Sequence, residues 1–195
     1  MKDSTEGLFK NKGSKFLSYA FPVATEEEKK NHLTALRKLH PSARHHCYAF
    51  RIRVENNLYR VNDGGEPNNT AGKPILGQIE SKELTNILIV VMRYFGGTLL
   101  GVSGLINAYK LAAADTLSNA TLIEKTVNEM YQITFNYSHM NDVMSIMKEK
   151  KLDIHSQNFE LLPQLLFSVR KSKSANVIDM LNKISNLEIK FIKQE

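Results

Sequence analysis

The chain has 195 residues, of which 42% are hydrophobic and 24% charged, with a formal net charge of +6 and one cysteine. That length fits one large domain or two small ones, and the composition is that of an ordinary globular protein. It excludes an intramolecular disulfide, and no apolar run reaches the ~18 residues needed to cross a bilayer.

Residues 1–13 are polar and mixed in charge, without the apolar stretch of a signal peptide, so a cytoplasmic location is expected. Residues 14–23 alternate as a strand does. Thr25-Glu26-Glu27-Glu28 is a capping box, and its helix turns Leu33, Leu36 and Leu39 inward before stopping ahead of Pro41. Residues 44–54 and 58–61 suggest a hairpin turning at Asn56-Asn57. A loop rich in glycine, proline and asparagine spans 62–76, and 80–86 suits a short helix. Residues 87–94 are continuously apolar, as in a strand buried on both faces. After a glycine-rich turn, 103–119 reads as a helix with Leu105, Ile106, Tyr109, Ala112, Ala113 and Leu117 inward.

A boundary is expected near 124–128, dividing the chain into domains 1–125 and 126–195. In the second, 129–137 alternates as a strand, and Ser138 is placed to cap a helix with Met140, Val143, Met144 and Met147 on one face. Strands follow at 153–160 and 162–170. Ser174 opens a helix with Val177, Ile178, Leu181 and Ile184 inward, and 187–192 is a last strand. Strand, helix, strand, strand, helix, strand is the split βαβ pattern of a ferredoxin-like domain, so the fold class is α+β.

Two segments draw attention for chemistry. The loop carries Asp63, Glu66, Thr70 and Lys73; the turn is Gly96-Gly97-x-x-x-Gly101-x-x-Gly104. Strand, glycine turn, helix is a layout that cradles anions, but this spacing matches neither a dinucleotide fingerprint nor a P-loop. Close packing of the turn on the sheet and anion binding at the helix start are compatible readings. Asp63 and Glu66 could act as acid and base; as turn formers, Asp63 would accept backbone amides and Glu66 would face solvent or an arginine. Asp63→Asn would then be tolerated, and Glu66→Gln would cost little if that side chain is exposed. Cys47 reads as a small buried strand residue. The adjacent His45 and His46 point to opposite faces, which disfavours a shared metal, and no cofactor or metal is expected.

The positive charge lies mostly in the first part: residues 1–125 hold 17 Lys/Arg against 12 Asp/Glu, and 126–195 hold 9 against 8. Arg51 and Arg53 share a strand face by period two, and with Arg60, Lys73 and Arg93 they form either a solvated face or a phosphate-binding stripe.

Taken together, Ser14-Lys15-Phe16, His40-Pro41, the run from His45 to Arg51, the 63–76 block, and Arg93-Tyr94-Phe95-Gly96-Gly97 through Gly101, Gly104-Leu105 and Ala108-Tyr109 resemble the IMPACT family, in its bacterial YigZ-like branch. The resemblance implies a first domain like the second domain of ribosomal protein S5. It also implies a ferredoxin-like second domain similar to the small domains of elongation factor G, and a link to translation and its regulation. It transfers no catalytic residue. The chain has Gly64 where a second aspartate is common, Asn68-Asn69 where Ser-Gly is common, Ser103 for a frequent glycine, and Asn107 for a frequent basic residue. The last change removes a cation from the helix that follows the turn.

The leading expectation is a non-enzymatic regulator, not membrane-bound, that meets RNA, the ribosome or a translation factor. An enzyme acting on a small anionic, phosphate-bearing substrate around His45 or His46, Asp63 and Glu66 is the alternative. A purely protein-binding regulator is the third reading.

Overall fold

The computed structural model describes residues 1–52 and 58–194, so Arg53 and the expected Asn56-Asn57 turn lie outside the described residues. The chain packs as two units, Met1–Ile123 and Glu124–Glu195, each α+β.

The first unit is a five-stranded antiparallel sheet of β1 (Thr5–Asn11), β2 (Ser14–Pro22), β3 (His45–Ile52), β4 (Leu58–Asn62) and β5 (Ile87–Tyr94), ordered β1-β2-β5-β3-β4. The most apolar strand takes the centre because it has no face that prefers water. On β5, Ile87, Ile89 and Val91 enter one core, and Leu88, Val90 and Met92 enter the other. Helix α1 (Glu26–Leu39) closes the second core with Leu33 and Leu36. Helices α2 (Gly72–Ser81) and α3 (Gly101–Ser118) close the first with Ile75, Ile79, Leu105 and Ala112. The capping box forms: Thr25 Oγ1 accepts from the Glu28 amide at 3.2 Å, and Glu28 Oε2 from the Ala24 amide at 2.6 Å.

The first unit departs from the sequence reading in four places. The polar start forms β1, an edge strand paired along its length with β2, where Glu6 and Lys10 face solvent and no apolar run is needed. Helix α2 starts inside the expected loop and ends at Ser81. Of the stretch 80–86 only its first two residues are helical, as the end of α2, and Glu83 and Asn86 carry φ of +52° and +56°. Leu39, the last residue of α1, is 65% exposed because it lies beyond the turn that meets the sheet. Ile106 is also exposed. The buried stripe of α3 runs through Leu105, Ala108, Tyr109 and Ala112, and one residue's rotation of about 100° carries Ile106 off it.

The second unit runs β6 (Asn128–Thr134), a 3-10 turn (Tyr137–His139), α4 (Met140–Glu149), β7 (Asp153–Asn158), β8 (Gln164–Arg170), α5 (Lys171–Leu181) and β9 (Glu188–Gln194). Its antiparallel sheet is ordered β7-β8-β6-β9. Val143 and Met147 of α4 and Val177 and Leu181 of α5 pack with Ile133, Leu165 and Phe167 in one core. Ser138 sits within the 3-10 turn and does not cap α4, and Met144 lies at the exposed margin of its helix. Helix α5 follows β8 without a loop, which leaves Ser174 inside the first turn, its hydroxyl donating to the Lys171 carbonyl at 2.9 Å.

Candidate functional site

Arg93 ends the buried run of β5, opposite Phe16 of β2 and His45 of β3, and so lies on the sheet face covered by α2 and α3. Its Nη1 donates to Glu66 Oε1 at 2.9 Å, and the Tyr109 hydroxyl of α3 donates to the same oxygen at 2.8 Å. The Arg93 and Glu66 side chains are 7% and 4% exposed. A charge so buried is tolerated only when paired and hydrogen-bonded, and here one carboxylate binds the central strand, the loop and α3 together.

Asp63 performs the equivalent task for the loop. Its Oδ2 accepts from the Asn69 amide at 2.9 Å, and its Oδ1 accepts from the amides of Ala71 and Gly72 at 3.0 and 2.8 Å. The residue before α2 has no capping side chain of its own, so Asp63 caps that helix from eight residues upstream. This is why α2 begins where composition alone reads as loop. Burial works to raise the Asp63 carboxyl, yet the three amides and the Lys73 charge hold it below the ordinary aspartate value. Gly64, at φ +56°, lies against the His46 backbone, where an added Cβ would come within 2.7 Å. Asn69 adopts φ +65°, and asparagine is among the side chains that accept that geometry. Thr70 Oγ1 donates to the Pro67 carbonyl at 2.7 Å.

Cys47 joins the same network from β3, its Sγ donating to the Asp63 carbonyl at 2.9 Å and lying 3.3 Å from the Tyr109 hydroxyl. Burial, with the charges of Glu66 and Asp63 adding to it, pushes the thiol up to about 12. Burial, then the neighbouring Cys47 and Glu66, raises the Tyr109 phenol well above its usual range. His45 Nδ1 binds the Gly64 carbonyl at 3.1 Å. His46 faces the other side of the strand, where burial and then the Arg37 and His40 charges lower its pKa.

The glycine turn is anchored by close approach: a Cβ on Gly96 would meet Gly13 C at 1.9 Å and Ser14 N at 2.2 Å. Beyond that contact the segment is uncovered. Phe95, Leu99 and Val102 are exposed, Leu99 by 83%, and α3 begins without a side-chain cap or an acidic first turn.

The structure therefore gathers His45, Asp63, Glu66, Thr70 and Arg93 into one region, with Gly96 beside the hairpin end. Among the described residues it does not assemble the arginine stripe. Arg93 is buried and neutralised by Glu66 and presents no free cation to a ligand. Arg51 opposes Tyr59 and Arg60 opposes Phe50, so Arg51 and Arg60 lie on opposite faces of the sheet. Lys73 is exposed in the first turn of α2; Gly97, Gly101 and Gly104 line the uncovered turn and the start of α3. Glu66 meets an arginine, as a turn former was expected to, but the pair is buried and the side chain is not exposed. Asp63 uses both oxygens, so Asp63→Asn would set an amide donor against a backbone amide and is not the neutral change that turn chemistry suggested. Tyr109 and Cys47 read as core from the sequence; their polar atoms become informative only once α3 and β3 face each other.

Among the described residues, no helix is long and apolar enough to cross a membrane, and no three His, Cys, Asp or Glu side chains are grouped to hold a metal ion. Residues 12–117 match the Impact N-terminal domain. The chain is 31% identical to the IMPACT family member YvyE of Bacillus subtilis over 75% of its length and 70% of that protein's. It is 30% identical to the IMPACT family member YigZ of Escherichia coli over 84% of its length and 81% of that protein's. A crystal structure of a hypothetical protein superposes on 98% of the chain, covering 95% of its own, with a TM-score of 0.69 at 27% identity. With the family's domain matched across residues 12–117 and bacterial members matched along most of its length, the chain belongs to the IMPACT family.

Proposed function

We propose that the protein is a cytoplasmic, non-enzymatic regulator associated with translation, which binds RNA, the ribosome or a translation factor. The observation that carries this reading is the use of Asp63, Glu66, Cys47, Tyr109 and Arg93 on one another, beneath a turn that stands exposed. A general base needs a group free to accept a substrate proton, and a nucleophile needs an accessible thiolate or hydroxyl. Here the carboxylates hold amides and an arginine, and the thiol is buried and protonated. What remains for a partner is shape and apolar surface. IMPACT membership supports the link to translation.

In this reading the first unit has the fold of the second domain of ribosomal protein S5, and the second is a ferredoxin-like unit of the elongation factor G kind. The strand order β7-β8-β6-β9 supports the latter. Exposed Phe95, Leu99 and Val102 favour a protein surface over bare RNA at the start of α3, as does the placement of Arg51 and Arg60 on opposite faces.

The test is recovery of ribosomal particles and translation factors from lysate on the tagged full chain, at low and at high salt. A Leu99→Asp/Val102→Asp variant is run beside it. Salt-resistant recovery that the variant abolishes identifies a protein face. Recovery lost steeply with salt and indifferent to the variant identifies phosphate contacts elsewhere on the chain. Recovery of neither particles nor factors by the wild type overturns the proposal.

A further inference from the structure

The second unit contains a cavity of about 680 Å³ where the end of α4, the end of β8 and the start of α5 converge. That volume falls within the ~300–1,000 Å³ of small-ligand sites. Lys150 and Lys151 line it from the end of α4, Arg170 from the end of β8, and Lys173 from the first turn of α5. Two carboxylates share the lining, and one of them, Glu149, is paired with Lys150 at 2.7 Å. Lys151, Arg170 and Lys173 make no ion pair among the described residues, and Asp153 is the remaining carboxylate of the wall. Ser172 and Asn176 add neutral hydrogen-bonding groups, and Leu152 and Val177 an apolar floor.

The cations converge because β8 passes into α5 without a loop, which sets Arg170 and Lys173 on either side of the helix start. That start has no side-chain cap and no acidic residue in its first turn. Positive side chains are unfavourable at the positive end of a helix, and an anion in the cavity relieves that repulsion and the mutual repulsion of the three cations together. Net charge conceals this cluster, since residues 126–195 hold 9 basic against 8 acidic residues.

We propose that this cavity binds a phosphate group, carried by a small phosphorylated molecule or by a nucleic-acid strand, through Lys151, Arg170 and Lys173. The site is separate from the glycine turn and does not depend on the function proposed for it.

The experiment is calorimetric titration of the full chain at about 50 mM salt with inorganic pyrophosphate and, separately, with a short single-stranded RNA. Pyrophosphate is expected to bind saturably at one site. Arg170→Gln/Lys173→Gln and, independently, Lys151→Gln are expected to weaken it by about tenfold, the scale of lost charge-assisted hydrogen bonds. Arg60→Gln, in the other unit, should leave binding unchanged. RNA binding that pyrophosphate displaces assigns the phosphate to a strand; pyrophosphate binding without RNA competition assigns it to a small molecule. Absence of saturable binding by both probes, or binding indifferent to all the cavity variants while their melting curves match the wild type, overturns the proposal.

Discussion

The two units use charge in opposite ways. Under the glycine turn, Glu66 and Arg93 are buried and joined, and Asp63 holds three backbone amides, so these charges hold structure in place. Around the cavity beside α5, Lys151, Arg170 and Lys173 are exposed and unpaired among the described residues, so their charge is available to something else. A family's most recognisable residues can be those with the least free chemistry, while a segment that looks electrically neutral in sequence holds unpaired cations around a cavity.

The sharpest way to break this contrast is to remove one partner of the buried pair. Glu66→Ala should cost about 3–5 kcal/mol by leaving the guanidinium buried alone, whereas Glu66→Leu/Arg93→Met together should cost less than the single change. Urea unfolding of Glu66→Ala, of the double variant and of its two singles, Glu66→Leu and Arg93→Met, checks this, and an additive double variant would show that the two charges do not cooperate. Gly96→Ala comes next, at about 1–3 kcal/mol, because its Cβ would fall on the Gly13 and Ser14 backbone. Gly97→Ala, with open space but φ +87°, should cost about 1 kcal/mol, and thermal melts of the two variants separate close approach from backbone geometry.

Asp63 sharpens the comparison through pH. Its folded pKa lies below the unfolded 3.8, so its contribution is fully present above that value and is lost as pH falls through the folded one. Asp63→Asn should lower stability at neutral pH by about 1–3 kcal/mol and flatten the acid limb of a pH–stability curve. An unchanged acid limb would mean that the three amide contacts carry little energy. Cys47 tests the burial of the same network kinetically: with the thiol at about 12, alkylation at pH 8 should be at least about a hundredfold slower in the native chain than in urea. The smallest effect belongs to the second unit, where Arg170→Gln/Lys173→Gln should move stability by less than about 0.5 kcal/mol. A larger loss would show that these cations also support the fold.

Elements with strong local patterns were legible in the sequence. The β5 run, the Thr25 capping box and the apolar positions of α4 and α5 rest on periodicity and on contacts within four residues. What was not legible depended on remote partners. The edge strand β1 is defined by pairing with β2, and α2 begins where Asp63 caps it from outside the helix. The candidate site divides along the same line. Asp63 was readable as a turn former because an Asp-Gly turn is local chemistry. Glu66 was readable as facing solvent or an arginine, but neither its burial nor the choice of Arg93 and Tyr109 was, because those partners are 27 and 43 residues away.

The sequence by itself determined the family, the alternation of strands and helices, and the two glycine segments, because these depend on residue identity and short spacing. Only the tertiary structure decided that those segments are tied by one carboxylate and that Arg51 and Arg60 face opposite ways. It also decided that three cations from separate elements meet at one cavity. Burial and charge pairing arise between residues distant along the chain, and strand order sets which of them meet.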